Sequence, residues 1–68
     1  MYTVETIINT LNENNLNADR LNDNDIIVSR PFGDDRELTT SEIIALVGNV
    51  KAFRTSSNDK FSTTIRLN

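Results

Sequence analysis

The fold is decided by residues 38–67, whose sequence is LTTSEIIALVGNVKAFRTSSNDKFSTTIRL. Thr39 lies at an N-cap position and Glu42 follows three residues later, which is the pattern of a capping box. Apolar residues recur at helical spacing from Ile43 onward, and Gly48 is a common helix stop. This stretch therefore predicts a helix that begins after Thr39 and ends near Gly48.

Two strands follow this helix. Residues 50–55 are predicted to form the first, and the polar residues 56–59 favour a turn, because Ser, Asn and Asp readily form turns. Along residues 61–67, mainly apolar side chains alternate with polar ones, as expected for a strand with one buried face. We expect Phe61 and Ile65 to point inward and Arg66 to point outward.

The first half of the chain repeats this order. Val4, Ile7, Ile8 and Leu11 recur at helical spacing, with Thr3 as the expected N-cap and Tyr2 as the outer partner of a hydrophobic staple. Strands are predicted over residues 16–21 and 25–30, separated by an Asn- and Asp-rich turn. Ala18 matches Ala52 at a shift of 34 residues, and Val28 matches Ile65 at a shift of 37.

The predicted fold class is α+β, as one domain over residues 1–68. We expect a two-layer sandwich in αββαββ order, with a four-stranded antiparallel sheet and both helices on one face. The halves, about 1–32 and 33–68, are interpreted as a pseudo-repeat of αββ units. The predicted core comprises Ile7, Ile8, Leu11, Leu16, Ala18, Ile26, Val28, Ile43, Leu46, Val47, Val50, Ala52, Phe61, Ile65 and Leu67.

Composition excludes several function classes. The chain has no Cys and no His, which removes disulfides, thiolate metal sites and the commonest general base. Its net charge of −3 disfavours phosphate binding. No apolar run approaches the roughly 20 residues of a membrane span, so we expect a cytoplasmic protein without membrane contact.

Catalytic chemistry is not predicted. Asp34, Asp35 and Glu37 are the candidate acids, but they lie in a polar loop of a chain too small to enclose a deep pocket. A calcium loop counted from Asp23 would need Gly and Glu where Val28 and Asp34 stand. We therefore predict a non-enzymatic protein with no catalytic residue, no metal site and no cofactor.

The sheet face away from the helices is the predicted functional surface. Alternation places Ile27 and Phe53 there among polar residues, and exposed apolar side chains on a flat face are typical of partner sites. A register one residue different would bury both side chains, and scattered surface apolar residues are the alternative. The predicted partner-binding residues are Asp19, Ile27, Asp34, Asp35, Glu37 and Phe53.

The predicted function is a small protein-binding module. Ten Asn, seven Ile and only two Lys favour a phage or mobile-element accessory protein. Such a protein would inhibit a host protein, for example a defence nuclease or a CRISPR effector, by occluding a basic surface. One alternative is a single-stranded nucleic-acid-binding module that uses Arg20, Lys51, Phe53, Arg54 and Arg66. Another is a homo-oligomeric accessory subunit, such as a homodimer formed through a sheet edge or the open face.

Overall fold

The computed structural model describes residues 3–48, 50–56 and 58–67. Its elements are α1 (Val4–Glu13), β1 (Asn17–Arg20), β2 (Asp25–Ser29), α2 (Thr40–Val47), β3 (Lys51–Arg54) and β4 (Ser62–Arg66). The predicted αββαββ order is confirmed. Each strand is shorter than predicted by one or two residues, because the hydrogen-bonded ladder stops before the flanking turns begin.

Threonine caps begin both helices. Thr3 Oγ1 accepts a hydrogen bond from the Thr6 amide at 3.1 Å, and Thr39 accepts one from the Glu42 amide at 3.2 Å. The second half of the predicted capping box is wrong. Glu42 accepts a hydrogen bond from Arg30 at 2.6 Å, and within the described residues its carboxylate accepts none from the Thr39 amide. The predicted staple through Tyr2 lies outside those residues.

The four strands form one antiparallel sheet in the order β1-β2-β4-β3. Each hairpin therefore contributes its second strand to the centre of the sheet. The pair Ala18–Val28 of the first hairpin has its counterpart in the pair Ala52–Ile65 of the second. Shifts of 34 and 37 residues relate these pairs. This pairing is compatible with the proposed αββ repeat, which stays a prediction.

The core lies between the sheet and the two helices. It consists of Ile7, Leu11, Leu16, Ala18, Ile26, Val28, Leu38, Ile43, Val47 and Ile65. The sheet members of this list are cross-strand neighbours and therefore share one face. Because the same cluster includes residues of α1 and α2, both helices pack on that face, and the predicted fold class is confirmed.

One predicted core residue is exposed, and five others are only partly buried against the core, namely Ile8, Leu46, Val50, Ala52 and Leu67. Phe61 precedes β4 and retains 41% of its surface exposed. Its carbonyl accepts a hydrogen bond from the Arg30 amide at 2.9 Å, so the backbone pairing continues to this point. The Arg30 side chain occupies the interior here and is only 6% exposed, because its guanidinium binds Glu42 of α2. The prediction that Phe61 belongs to the core is therefore wrong.

Neither helix in the described part of the chain is both long and apolar enough to cross a bilayer. The longer of the two, α1, has 10 residues and carries polar side chains on one side. A bilayer-spanning helix needs roughly 20 predominantly apolar residues.

Candidate functional site

The segment that connects β2 to α2 presents the most exposed large apolar side chain among the described residues. This segment, residues 31–37, is called the aromatic loop here. Phe32 lies at its tip and is fully exposed to solvent. Beside it is a shallow groove of about 430 Å³, called the loop groove. The residues that line it are Arg30, Pro31, Phe32, Gly33, Asp34, Asp35 and Phe61.

The buried side chain of Arg30 holds the end of the aromatic loop in place. The Arg30 guanidinium donates to the carbonyls of Arg36 and Glu37 and to the carboxylate of Glu42, at 3.3, 3.1 and 2.6 Å. Hydrogen bonds to charged groups are worth more than neutral ones, and a buried guanidinium needs such partners. Arg30 therefore ties the end of the loop to the first turn of α2.

The tip of the loop is closed by a turn. The Asp34 amide donates to the Pro31 carbonyl at 3.1 Å, and Gly33 has a φ of 93°, a conformation that few other residues adopt without strain. The Asp34 carboxylate accepts two hydrogen bonds from the Arg36 side chain and one from its amide. These hydrogen bonds, led by the one from the Arg36 side chain, lower the pKa of Asp34 to about 2.

Asp35 is the carboxylate of the loop that has no internal partner. Its side chain is exposed, lines the loop groove and makes no hydrogen bond or ion pair with any described residue. Residues 30–42 contain two arginines against four acids, and both arginines are engaged by Asp34 and Glu42. The groove therefore combines two aromatic rings with a carboxylate that makes no hydrogen bond or ion pair to the described residues.

The second candidate surface is the sheet side away from the helices, called the open face here. Register places Asp19, Ile27, Thr64 and Phe53 in one row across the four strands. Phe53 keeps 41% of its surface exposed, Ile27 is half-buried and Thr64 is buried. Ile27 and Phe53 therefore lie on the face that the alternation predicts, although Ile27 is largely covered.

On the open face, an arginine engages both the aromatic ring and an acid. The Arg66 guanidinium lies 5.2 Å from the centre of the Phe53 ring and donates to both carboxylate oxygens of Asp25, at 3.1 and 3.3 Å. Asn22 also donates to that carboxylate. The hydrogen bonds from Arg66 and then Asn22 lower the pKa of Asp25, and Asp25 in turn raises the pKa of Arg66.

The predicted partner-binding residues divide between the open face and the aromatic loop. Asp19, Ile27 and Phe53 share the row on the open face, whereas Asp34, Asp35 and Glu37 lie in the aromatic loop. Glu37 accepts a hydrogen bond from Arg54 of the β3 edge at 2.8 Å, which lowers the pKa of Glu37. The structure thus does not bring the predicted partner-binding residues together on one continuous surface.

The alternative nucleic-acid residues also divide between faces. Lys51, Phe53 and Arg66 lie on the open face. Arg20 pairs in register with Ile26, and Arg54 with Thr63, so both arginines lie on the helix-bearing side. Of the five residues predicted to form one stacking platform, three therefore share the open face and two lie on the opposite side of the sheet.

Sequence reasoning missed Phe32 and Phe61 as surface residues. A signal was present for Phe32, because it stands between Pro31 and Gly33 in a polar loop, where no alternation or helical spacing assigns it to a core. Phe61 offered no such signal, since its position fits the inward phase of the fourth strand.

Within the ranges that the structure describes, no group of three or more acidic side chains is arranged to hold a metal ion. No protein-family model matches the chain, and neither the curated proteins nor the solved structures contain a significant match to it.

Proposed function

We propose that this protein is a non-enzymatic protein-binding module that contacts its partner through the aromatic loop. The observation that carries the proposal is the position of Phe32. Its ring is fully exposed, yet the loop beneath it is held by the buried side chain of Arg30. An exposed ring on a fixed loop is typical of an interface anchor, because aromatic residues dominate the binding energy of many interfaces.

The fixed loop matters because binding loses less free energy when the contact residue is already ordered. Immobilising a flexible interface side chain or loop costs about 0.5–1.5 kcal/mol for each side chain. Here Arg30, the Pro31–Asp34 turn and the Asp34–Arg36 pair hold the backbone before a partner arrives. The loop therefore supports tight binding through few residues.

The charge of the loop supports a basic partner surface. Asp35 makes no hydrogen bond or ion pair with any described residue, and the whole chain has a net charge of −3. Complementary charge steers association and excludes partners of the wrong sign. Phe32 and Phe61 would supply the apolar contact, while Asp35 would pair with a cation of the partner.

More specifically, we propose that the module is an inhibitor that acts in a host cytoplasm. The Asn- and Ile-rich, Lys-poor composition supports a phage or mobile-element accessory protein. A host defence nuclease or a CRISPR effector would offer a basic channel for nucleic acid, and an acidic module could occlude such a channel. The expected activity is loss of nucleic-acid binding by the host protein.

The test compares two substitutions of exposed apolar residues. Partners captured from a host lysate are identified, purified and titrated against wild-type protein, Phe32→Ala and Leu21→Ala. Leu21 is 54% exposed and lies next to the β1–β2 turn, outside the groove. We expect Phe32→Ala to weaken binding about 30-fold, the effect of losing an anchor worth about 2 kcal/mol. Leu21→Ala should change affinity less than twofold.

Equal affinities of wild-type protein and Phe32→Ala for every purified partner would contradict the proposal. Urea unfolding of both variants separates lost binding from lost folding. If the captured partner binds nucleic acid, its activity is measured with and without the module. Persistence of that activity at saturation would reject the inhibitor form.

Nucleic-acid binding is a second candidate, favoured by Phe53, Arg66 and Lys51 on the open face. A stacking platform needs an accessible ring and free cations, whereas Arg66 covers the ring and bonds to Asp25. A salt-dependent mobility shift with single-stranded DNA or RNA, abolished by Phe53→Ala, would establish nucleic-acid binding by the open face. It would replace the proposal of protein binding by the aromatic loop.

A homo-oligomeric role rests on the edges of the sheet. Within the described residues, β1 and β3 each pair with only one neighbouring strand, and unpaired edges can accept a strand of another copy. Light scattering at high protein concentration tests this candidate, and a strict monomer would reject it.

A further inference from the structure

We propose that the loop groove binds an arginine side chain of the partner, with its guanidinium against an aromatic ring and paired to Asp35. This inference rests on the proposed function, since it names the chemistry that the same site would recognise. A lysine should bind the groove more weakly than an arginine, and a purely apolar side chain would leave Asp35 without a partner.

The open face shows within this chain the arrangement that the inference requires. There Arg66 lies 5.2 Å from the centre of the Phe53 ring and donates to Asp25 at 3.1 Å. A guanidinium can do both at once, because its planar face contacts the ring while its edge donates hydrogen bonds. In this arrangement one arginine covers the phenylalanine ring and pairs with the aspartate carboxylate at the same time.

The loop groove supplies two of these three components. Phe32 and Phe61 provide ring surface, and Asp35 provides a carboxylate that no described residue engages. The arginines closest in sequence are already committed. Arg30 is only 6% exposed and is bound to Glu42, while Arg36 donates to both carboxylate oxygens of Asp34. A guanidinium that pairs with Asp35 would therefore come from another molecule.

Charge and size both favour arginine as the occupant. The groove volume of about 430 Å³ admits one long side chain together with its flanking backbone, but the groove is shallow and does not enclose an apolar group fully. An arginine stem can lie along the ring of Phe61 while its charged end stays near solvent. Lysine lacks the planar group and the paired donors, so it should bind more weakly.

Two short peptides test the preference directly. ¹⁵N-labelled protein is titrated with acetyl-Gly-Arg-Arg-Gly-amide and, separately, with the same peptide carrying lysines. We expect the arginine peptide to shift the amide signals of residues 32–35 and to bind about fivefold more tightly than the lysine peptide. Equal affinity of the two peptides would overturn the inference. The proposal that the aromatic loop binds a basic partner would still stand.

Matched variants decide whether the groove is responsible. Asp35→Asn should weaken binding of the arginine peptide about fivefold, whereas Asp23→Asn, which makes the same charge change in the exposed β1–β2 turn, should change it less than twofold. Signal shifts confined to other parts of the protein, or no shifts at all, would also overturn the inference. The proposed function is then decided separately by the affinity of the purified partner for Phe32→Ala.

Discussion

The open face and the aromatic loop contain the same three kinds of residue but use them differently. On the open face, Arg66 covers the ring of Phe53 and bonds to Asp25, so aromatic surface and charge are satisfied internally. In the aromatic loop, the ring of Phe32 is bare and Asp35 has no partner among the described residues. This difference is the reason why we propose the loop, rather than the sheet, as the surface that contacts a partner.

The two regions also differ in what holds them. The open face is supported by the ladder of four strands, in which Thr64 and Asp25 are buried beneath neighbouring side chains. The aromatic loop has no such ladder and depends on the guanidinium of Arg30 and on the Asp34–Arg36 pair. Substitutions in these supports should therefore change the loop and leave the sheet in place.

The largest expected effect comes from Arg30→Met. This substitution keeps most of the apolar stem but removes the hydrogen bonds to Arg36, Glu37 and Glu42. We expect the free energy of unfolding to fall by about 2 kcal/mol, since charged hydrogen bonds in a buried setting contribute on that scale. Urea unfolding measures the loss, and hydrogen exchange should accelerate in residues 33–38 but not in β4.

Arg54→Met is the matched control for this prediction. Arg54 makes a hydrogen bond to Glu37 at 2.8 Å, but its side chain is 37% exposed. Exposed ion pairs contribute little because water and salt screen them, so the free energy of unfolding should change by less than about 1 kcal/mol. Equal losses for the two variants would show that Arg30 is not a special support of the loop.

The smallest expected effect is on pH dependence. Hydrogen bonds from Arg36 lower the pKa of Asp34 to about 2 from its usual value of 3.8. Because the folded protein favours the ionised carboxylate, the pair stabilises the loop fully above the usual value, and this stabilisation is lost as the pH falls toward 2. A carbon-13 titration of the Asp34 carboxyl group measures this directly.

Arg36→Gln sharpens that titration. Removing the guanidinium should raise the pKa of Asp34 toward its usual value, while the signals of the open face should not move. An unchanged pKa in the variant would mean that the Arg36 side chain does not fix the tip of the loop.

Much of the fold could be predicted because it depends on local patterns. The helical spacing around Ile7 and Ile43 and the threonine caps gave both helices, and the alternation in β4 gave the inward phase of Thr63 and Ile65. These signals are short in range, and burial in a two-layer sandwich then selects one register.

The candidate site was harder to predict, because it depends on contacts between distant residues. Arg30 and Glu42 are 12 residues apart, and the capping pattern assigned Glu42 to its own helix instead. Because Glu42 was assigned to the cap, neither the buried position of the Arg30 side chain nor the exposure of Phe61 was predicted. Asp25 and Arg66 are likewise 41 residues apart, so the cover over Phe53 could not be read from either strand alone.

The most direct measurement compares the unfolding free energies of Phe53→Ala and Phe32→Ala. Phe53 contacts a cross-strand neighbour and Arg66, so its loss should destabilise the protein by about 1 kcal/mol. Phe32 is fully exposed, so its loss should change stability by less than about 0.5 kcal/mol. Equal destabilisation, or a larger effect at Phe32, would show that the loop ring already has a partner within the chain and would contradict the account.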